Sequence, residues 1–140
     1  MNIVIIQYNA GNIQSVLYAL ERLGVQAMVT DNVELIQKAD KVIFPGVGEA
    51  STAMHYLKER GLDSVIQNLK QPVFGICLGM QLMCAYSEEN NTSCLGIFEE
   101  QVKLFKPTDS STKVPQIGWN TIGSLKTNLF KVIKHLKIQP

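Results

Sequence analysis

Short apolar runs alternate with amphipathic stretches from the first residues of the chain. Asn2 to Tyr8 is nearly all Ile and Val as far as Gln7. A continuous run of that kind predicts a strand covered on both faces, as parallel sheets provide. Ile13, Val16, Leu17, Leu20 and Leu23 then recur at helical spacing, predicting a helix from Ile13 to Leu23 with Gly24 as its C′ residue. Val25 to Thr30 predicts a second strand. Val33 to Ala39 predicts a short helix capped by Asp31 or Asn32, and Lys41 to Phe44 a third strand. Alternating strand and helix imply right-handed crossovers and a parallel sheet, hence an α/β fold.

The pattern continues. Ser51 is expected to cap a helix to about Lys58, and Gly61 to break it before Leu62 to Leu69, with Leu57, Leu62, Val65, Ile66 and Leu69 toward the sheet. Val73 to Ile76 reads as a fourth strand. From Met80 the pattern turns helical through Leu82, Met83 and Tyr86, with Cys84 on the core side. Ser87 to Ser93 reads as a polar loop, and Gly96 to Phe105 as a strand with Val102 and Leu104 on one face. Residues 106 to 112 read as a loop. Val114 to Asn120 is a short segment holding the only Trp, and Leu125 to Leu136 predicts a last amphipathic helix. There is no internal repeat.

Composition narrows the class. A chain of 140 residues, 46% hydrophobic and 18% charged, fits one domain, residues 1–140, with a moderate core. A net charge of +1 leaves no electrostatic footprint for nucleic acid or an acidic membrane. No apolar run reaches spanning length. The apolar start lacks a basic flank, so it reads as a first strand rather than a signal peptide. The three cysteines, Cys77, Cys84 and Cys94, lack the paired spacing of a zinc site or a disulfide framework. A reducing cytoplasm suits them.

The chemistry centres on Gly75-Ile76-Cys77-Leu78-Gly79. Glycines two before and two after a nucleophile permit a sharp strand-to-helix elbow, where side chains would clash. Such an elbow lifts Cys77 to the sheet tip at a helix start, whose unpaired N–H groups favour thiolate. It also places the Leu78 N–H to bind an oxyanion. Pro45-Gly46-Val47-Gly48 follows the third strand directly, at the carboxyl edge where open α/β sheets bind ligands. A buried Cys in a Gly-flanked turn, and a plain Gly-rich turn, are the bland readings of these stretches. Cys84 and Cys94 read as packing residues. A cysteine nucleophile usually works with a histidine base. The two histidines, His55 and His135, do not read as its partners: His55 lies on a crossover helix with polar neighbours, and His135 lies in the lysine-rich last helix.

Gly75-Ile76-Cys77-Leu78-Gly79-Met80-Gln81 together with Pro45-Gly46-Val47-Gly48 resembles the class I, triad-type glutamine amidotransferases. Gly11-Asn12-Ile13-Gln14-Ser15-Val16, Ala53-Met54, Ser87-Glu88-Glu89, Leu95-Gly96-Ile97 and Val114 to Asn120 narrow the resemblance to the glutaminase subunits of imidazole glycerol phosphate synthase, in histidine biosynthesis. It implies a flavodoxin-like, open, mostly parallel sheet with helices on both faces. It implies that Cys77 attacks the side-chain amide of glutamine, that the Val47 and Leu78 N–H groups hold the oxyanion, and that Gly48, Gln81 and Glu89 contact glutamine. It implies a heterodimer with a (β/α)8-barrel cyclase met by Asn12, Trp119 and Asn120, a cytoplasmic location, and no cofactor or metal. The family's His-Pro-Glu segment has no counterpart in these residues, so a member lacking its C-terminal part, with doubtful turnover, is expected. A non-catalytic docking subunit is the second reading. Another cysteine hydrolase on the same elbow is the third, though those place a histidine where Leu78 stands.

Overall fold

The computed structural model describes residues 1–9, 11–109, 113–115 and 117–118. The backbone divides into two compact units, Met1–Leu104 and Phe105–Pro140. In the first, β1 (Ile3–Ile6), β2 (Ala27–Thr30), β3 (Lys41–Phe44) and β4 (Val73–Gly75) form one sheet in the order β2-β1-β3-β4. Every pairing in it is parallel. Starting from a central first strand and reversing direction after β2, this is the order of a doubly wound, flavodoxin-like sheet.

The all-apolar run of β1 is buried along its length. Ile3 and Ile5 face one side with Ile43, where Ile13, Val16, Leu17 and Leu20 of α1 (Ile13–Arg22) pack. Val4 and Ile6 face the other side, with Val42, Phe44, Ile36, Leu57, Leu62 and Ile66. These last residues bring α2 (Val33–Gln37), α3 (Ala50–Glu59) and α4 (Leu62–Asn68) onto that face. Apolar periodicity thus put the helices on both faces, because each stripe has only one apolar layer to bury against.

Local chemistry sets the ends. Asn12 caps α1, its side chain accepting from the Ser15 N–H at 3.2 Å. Asn32, of the two candidates, caps α2 by accepting from the Leu35 N–H at 3.1 Å. Gly24 and Gly61 take left-handed φ values of 68° and 65° at the turns that end α1 and α3.

Four expectations need correction. Ser51 does not cap α3: the cap position is Glu49, and the Ser51 hydroxyl donates to the Glu49 carboxylate instead. The helix after Cys77, α5, is only Leu78–Leu82, and Tyr86 lies in β5 (Tyr86–Ser87). The polar stretch after it is not a plain loop. It holds β5, a 3-10 turn at Glu89–Asn91 and β6 (Thr92–Ser93), which pairs antiparallel with β5. Beyond it, only Gln101–Val102 form a strand, β7, parallel to β5. Leu104 is 65% exposed, so it shares no buried face with Val102. Short polar strands carry too few alternating positions for periodicity to reveal them.

In the second unit the described residues are irregular, with a cis Val114–Pro115 bond and an exposed Ile117. The expected helix Leu125 to Leu136 lies outside the described residues.

Leu57 has no exposure at the centre of the α3 side of the core. Leu57→Ala is expected to cost about 2–5 kcal/mol, from lost transfer energy and the cavity left behind. Urea unfolding followed by circular dichroism checks this; a loss within error of zero would contradict the packing described.

Candidate functional site

The carboxyl edge of the sheet gathers three loops. The first follows β1, the second joins β3 to α3 through Pro45–Gly48, and the third is the turn from β4 into α5. Backbone-to-backbone approach holds the last two together. The Ile76 N–H donates to the Phe44 carbonyl at 3.0 Å. A methyl group added at Gly79 would overlap that same carbonyl oxygen and sit 2.9 Å from the Pro45 oxygen. A methyl group at Gly46 would lie 2.7 Å from the Gly79 nitrogen and 2.5 Å from the Tyr8 hydroxyl. At Gly75 it would lie 2.7 Å from the Met80 Cα. Glycine at 46, 75 and 79 is therefore a packing requirement of this junction, not only a turn preference.

Cys77 occupies the corner. Its φ of 52° and ψ of −117° lie in a region that costs a side-chain-bearing residue energy. Its side chain is exposed, whereas Leu78 and Gly79 beside it are buried. As the first residue of α5, Leu78 presents an N–H with no acceptor inside the helix. Five residues make a short helix, so local N–H groups rather than a long macrodipole set the field at the thiol. Val47, in the facing loop, is about half exposed, and Gly48 has a φ of 107° with open space around it.

Gln81 is half-buried one turn along α5, its N–H donating to the Cys77 carbonyl at 3.0 Å. Glu89 is in the turn between β5 and β6, and its carboxylate accepts from the Ala50 N–H at 2.8 Å. That contact fastens the β5–β6 turn to the start of α3, just past Gly48. Asn12 is exposed at the start of α1. Trp119 and Asn120 lie outside the described residues. The structure thus brings Val47, Gly48, Cys77, Leu78 and Gln81 to one edge, with Glu89 tied to it through Ala50.

Two residues here were missed in the sequence. Tyr8 is buried beyond the end of β1, its ring tilted against Phe44 with centroids 5.4 Å apart and its hydroxyl donating to the Pro45 carbonyl at 2.6 Å. Burial, and then the negative charge of Cys77, push the Tyr8 phenol well above its ordinary value. A Tyr ending an apolar strand needs a partner for its hydroxyl, which was the available signal. Glu49 is the other. Hydroxyls of Ser51 and then Thr52, with the Asn90 amide, hold its carboxyl down to about 2.

The remaining candidates behave as packing or surface. Burial raises the thiols of Cys84 and Cys94. His55 is exposed on α3 and pairs with Glu59 at 3.4 Å. His135 lies outside the described residues. Among the described residues no three His, Cys, Asp or Glu side chains are grouped to hold a metal, and no helix is long and apolar enough to cross a membrane. Shallow hollows around Gln26 and Ala27 sit at the opposite, amino edge of the sheet.

Comparison with known proteins gives consistent matches. The model of the family "Glutamine amidotransferase class-I" matches residues 4–137. The imidazole glycerol phosphate synthase subunit HisH of Bacteroides fragilis is 62% identical over 131 residues, covering 94% of this chain and 67% of that protein. The HisH subunit of Bacteroides thetaiotaomicron is 60% identical over the same shares. That of Pasteurella multocida is 49% identical, over 86% of this chain and 60% of its own length. The chain therefore spans about two thirds of these relatives. A solved structure described as a glutamine amidotransferase superposes with a TM-score of 0.63 at 22% identity, over 74% of this chain and 56% of that one. It bears out the fold.

Gly79→Ala should force the end of β3 away from the elbow, because a carbonyl oxygen on a buried strand cannot step aside. A loss of about 2 kcal/mol or more in urea unfolding, with altered iodoacetamide reactivity at Cys77, is expected by analogy with overpacked cores; an unaltered variant would refute the close approach. Glu49 gives a pH test. Its folded value of about 2 lies below the ordinary 4.5, so its contribution is present above about 4.5 and lost as pH falls toward about 2. The stability gap between wild type and Glu49→Gln should therefore shrink across that interval, as urea midpoints measured through it will reveal.

Proposed function

The chain belongs to the class-I glutamine amidotransferase family, in the branch of the HisH subunits, and from that premise we propose that Cys77 is its glutaminase nucleophile. What carries the reading is one juxtaposition: an exposed thiol at a left-handed corner, packed backbone to backbone against the Pro45–Gly48 loop. The thiolate attacks the side-chain amide carbon of glutamine, and the carbonyl oxygen becomes an oxyanion. The Leu78 N–H at the start of α5 and the Val47 N–H of the facing loop would take up that charge. Two such donors aimed at developing charge typically account for several orders of magnitude in rate. The C–N bond then breaks, the nitrogen leaves as ammonia with an added proton, and a thioester remains on Cys77. Water releases glutamate and regenerates the thiol.

Gly48, Gln81 and Glu89 are proposed to hold glutamine. The open space at Gly48 would admit it. Glu89 has a second carboxylate oxygen beyond the one on Ala50, suited to an ammonium group. The ammonia would pass to a (β/α)8-barrel cyclase, met as a heterodimer partner by Asn12, Trp119 and Asn120. The relatives' name, a subunit of imidazole glycerol phosphate synthase, supports a partner subunit. A cytoplasmic site of action accompanies this reading, with no cofactor and no metal.

No described contact joins His55 to Cys77; it pairs with Glu59. The protein is expected to form a covalent adduct at Cys77 with a chloroketone analogue of glutamine. Mass spectrometry of the adduct checks this. Cys77→Ser should abolish the adduct. An adduct on Cys84 or Cys94 instead, or an unreactive Cys77, would overturn the assignment.

A further inference from the structure

Tyr8 lies where the loops meet, and neither the nucleophile nor the glutamine contacts explain it. It is 6% exposed, fixed by Phe44 at 5.4 Å, and donates its hydroxyl to the Pro45 carbonyl at 2.6 Å. The acceptor matters. The Pro45 carbonyl and the Gly46 N–H belong to one rigid peptide plane. Fixing the oxygen therefore fixes that plane, and only the two torsions of Gly46 separate it from the Val47 N–H. Gly46 has no side chain to restrict those torsions, and a methyl group added there would run into both the Tyr8 hydroxyl and the elbow backbone. Without an anchor at Pro45, the loop has a glycine hinge with nothing holding its near side.

We propose that Tyr8 is a positioning residue for the loop after β3, its hydroxyl setting the Pro45–Gly46 peptide so that the Val47 N–H points to the oxyanion formed at Cys77. The inference rests on the glutaminase reading above. Its hydroxyl suits a constant role, since both burial and the Cys77 charge keep the phenol protonated while the thiolate works. Tyr8 would touch neither glutamine nor the reacting atoms.

Two reagents separate this role from packing. A chloroketone analogue of glutamine develops charge on its carbonyl oxygen during attack and needs the loop. Iodoacetamide alkylates a thiolate by displacement and does not. In the 140-residue chain, Tyr8→Phe keeps the ring and removes only the hydroxyl. The chloroketone rate at Cys77 is expected to fall about tenfold, the scale of a small misplacement of a catalytic group, while the iodoacetamide rate holds. Incorporating 3-fluorotyrosine at position 8, which keeps both volume and hydroxyl, should restore the wild-type ratio of the two rates. A Tyr8→Phe chain that is folded by circular dichroism and keeps that ratio would overturn the role of Tyr8 and leave Cys77 as assigned. Equal loss of both labels, or failure to fold together with an altered ratio in the fluorotyrosine chain, would reduce Tyr8 to a packing residue and overturn it too. Wild type that reacts with iodoacetamide but not with the chloroketone would instead sink the glutaminase reading itself.

Discussion

The site exists because two stretches of backbone touch with no side chain in the way. The Phe44 carbonyl accepts from Ile76 and lies against the Cα of Gly79. This one approach registers the end of β3 with the turn after β4, and so sets Gly46 against Leu78 and Gly79. Parallel neighbours in a sheet already end at the same edge. What the glycines add is a closer approach, from sheet-edge proximity to backbone contact, which a preorganised charge-binding site needs.

A second fastening comes from the polar side. Glu89 reaches from the β5–β6 turn to the Ala50 N–H, and Asn90 reaches the Glu49 carboxylate from the same turn. Asn90 and Asn91 both take left-handed φ values, 48° and 52°, which asparagine tolerates better than most residues. The turn is thereby bent onto the first residues of α3. The start of that helix, which continues from Gly48, is held from outside by groups far along the chain rather than by a local cap.

Much of this was legible beforehand, and the reasons are particular. The continuous Ile3 to Ile6 run and the i, i+3, i+4 stripe from Ile13 to Leu20 are long enough for periodicity to speak, and they yielded the parallel sheet with helices on both faces. The Gly75-x-Cys77-x-Gly79 spacing yielded the corner because a steric requirement shows directly as an absence of side chains. Contacts between distant residues were not legible. Ser51 looked like a cap because hydroxyls favour that position, yet a carboxylate two residues earlier took its hydroxyl. Glu89 to Ala50 and Tyr8 to Pro45 join residues more than thirty positions apart, and no local pattern encodes them. Two-residue strands such as β5 and β7 are defined by their partners, not by their own composition.

The torsions of Cys77 carry a consequence for how such a sequence drifts. At a φ of 52° and ψ of −117°, any residue with a β-carbon forfeits about 1–3 kcal/mol that glycine would keep. The most comfortable occupant of the corner is thus the one with no sulfur at all. With Cys77 as the nucleophile proposed above, selection for chemistry and selection for folding pull against each other at this single position. A descendant released from the first should slide toward glycine there, while keeping 46 and 79 unchanged because the groups packed against them still need the room.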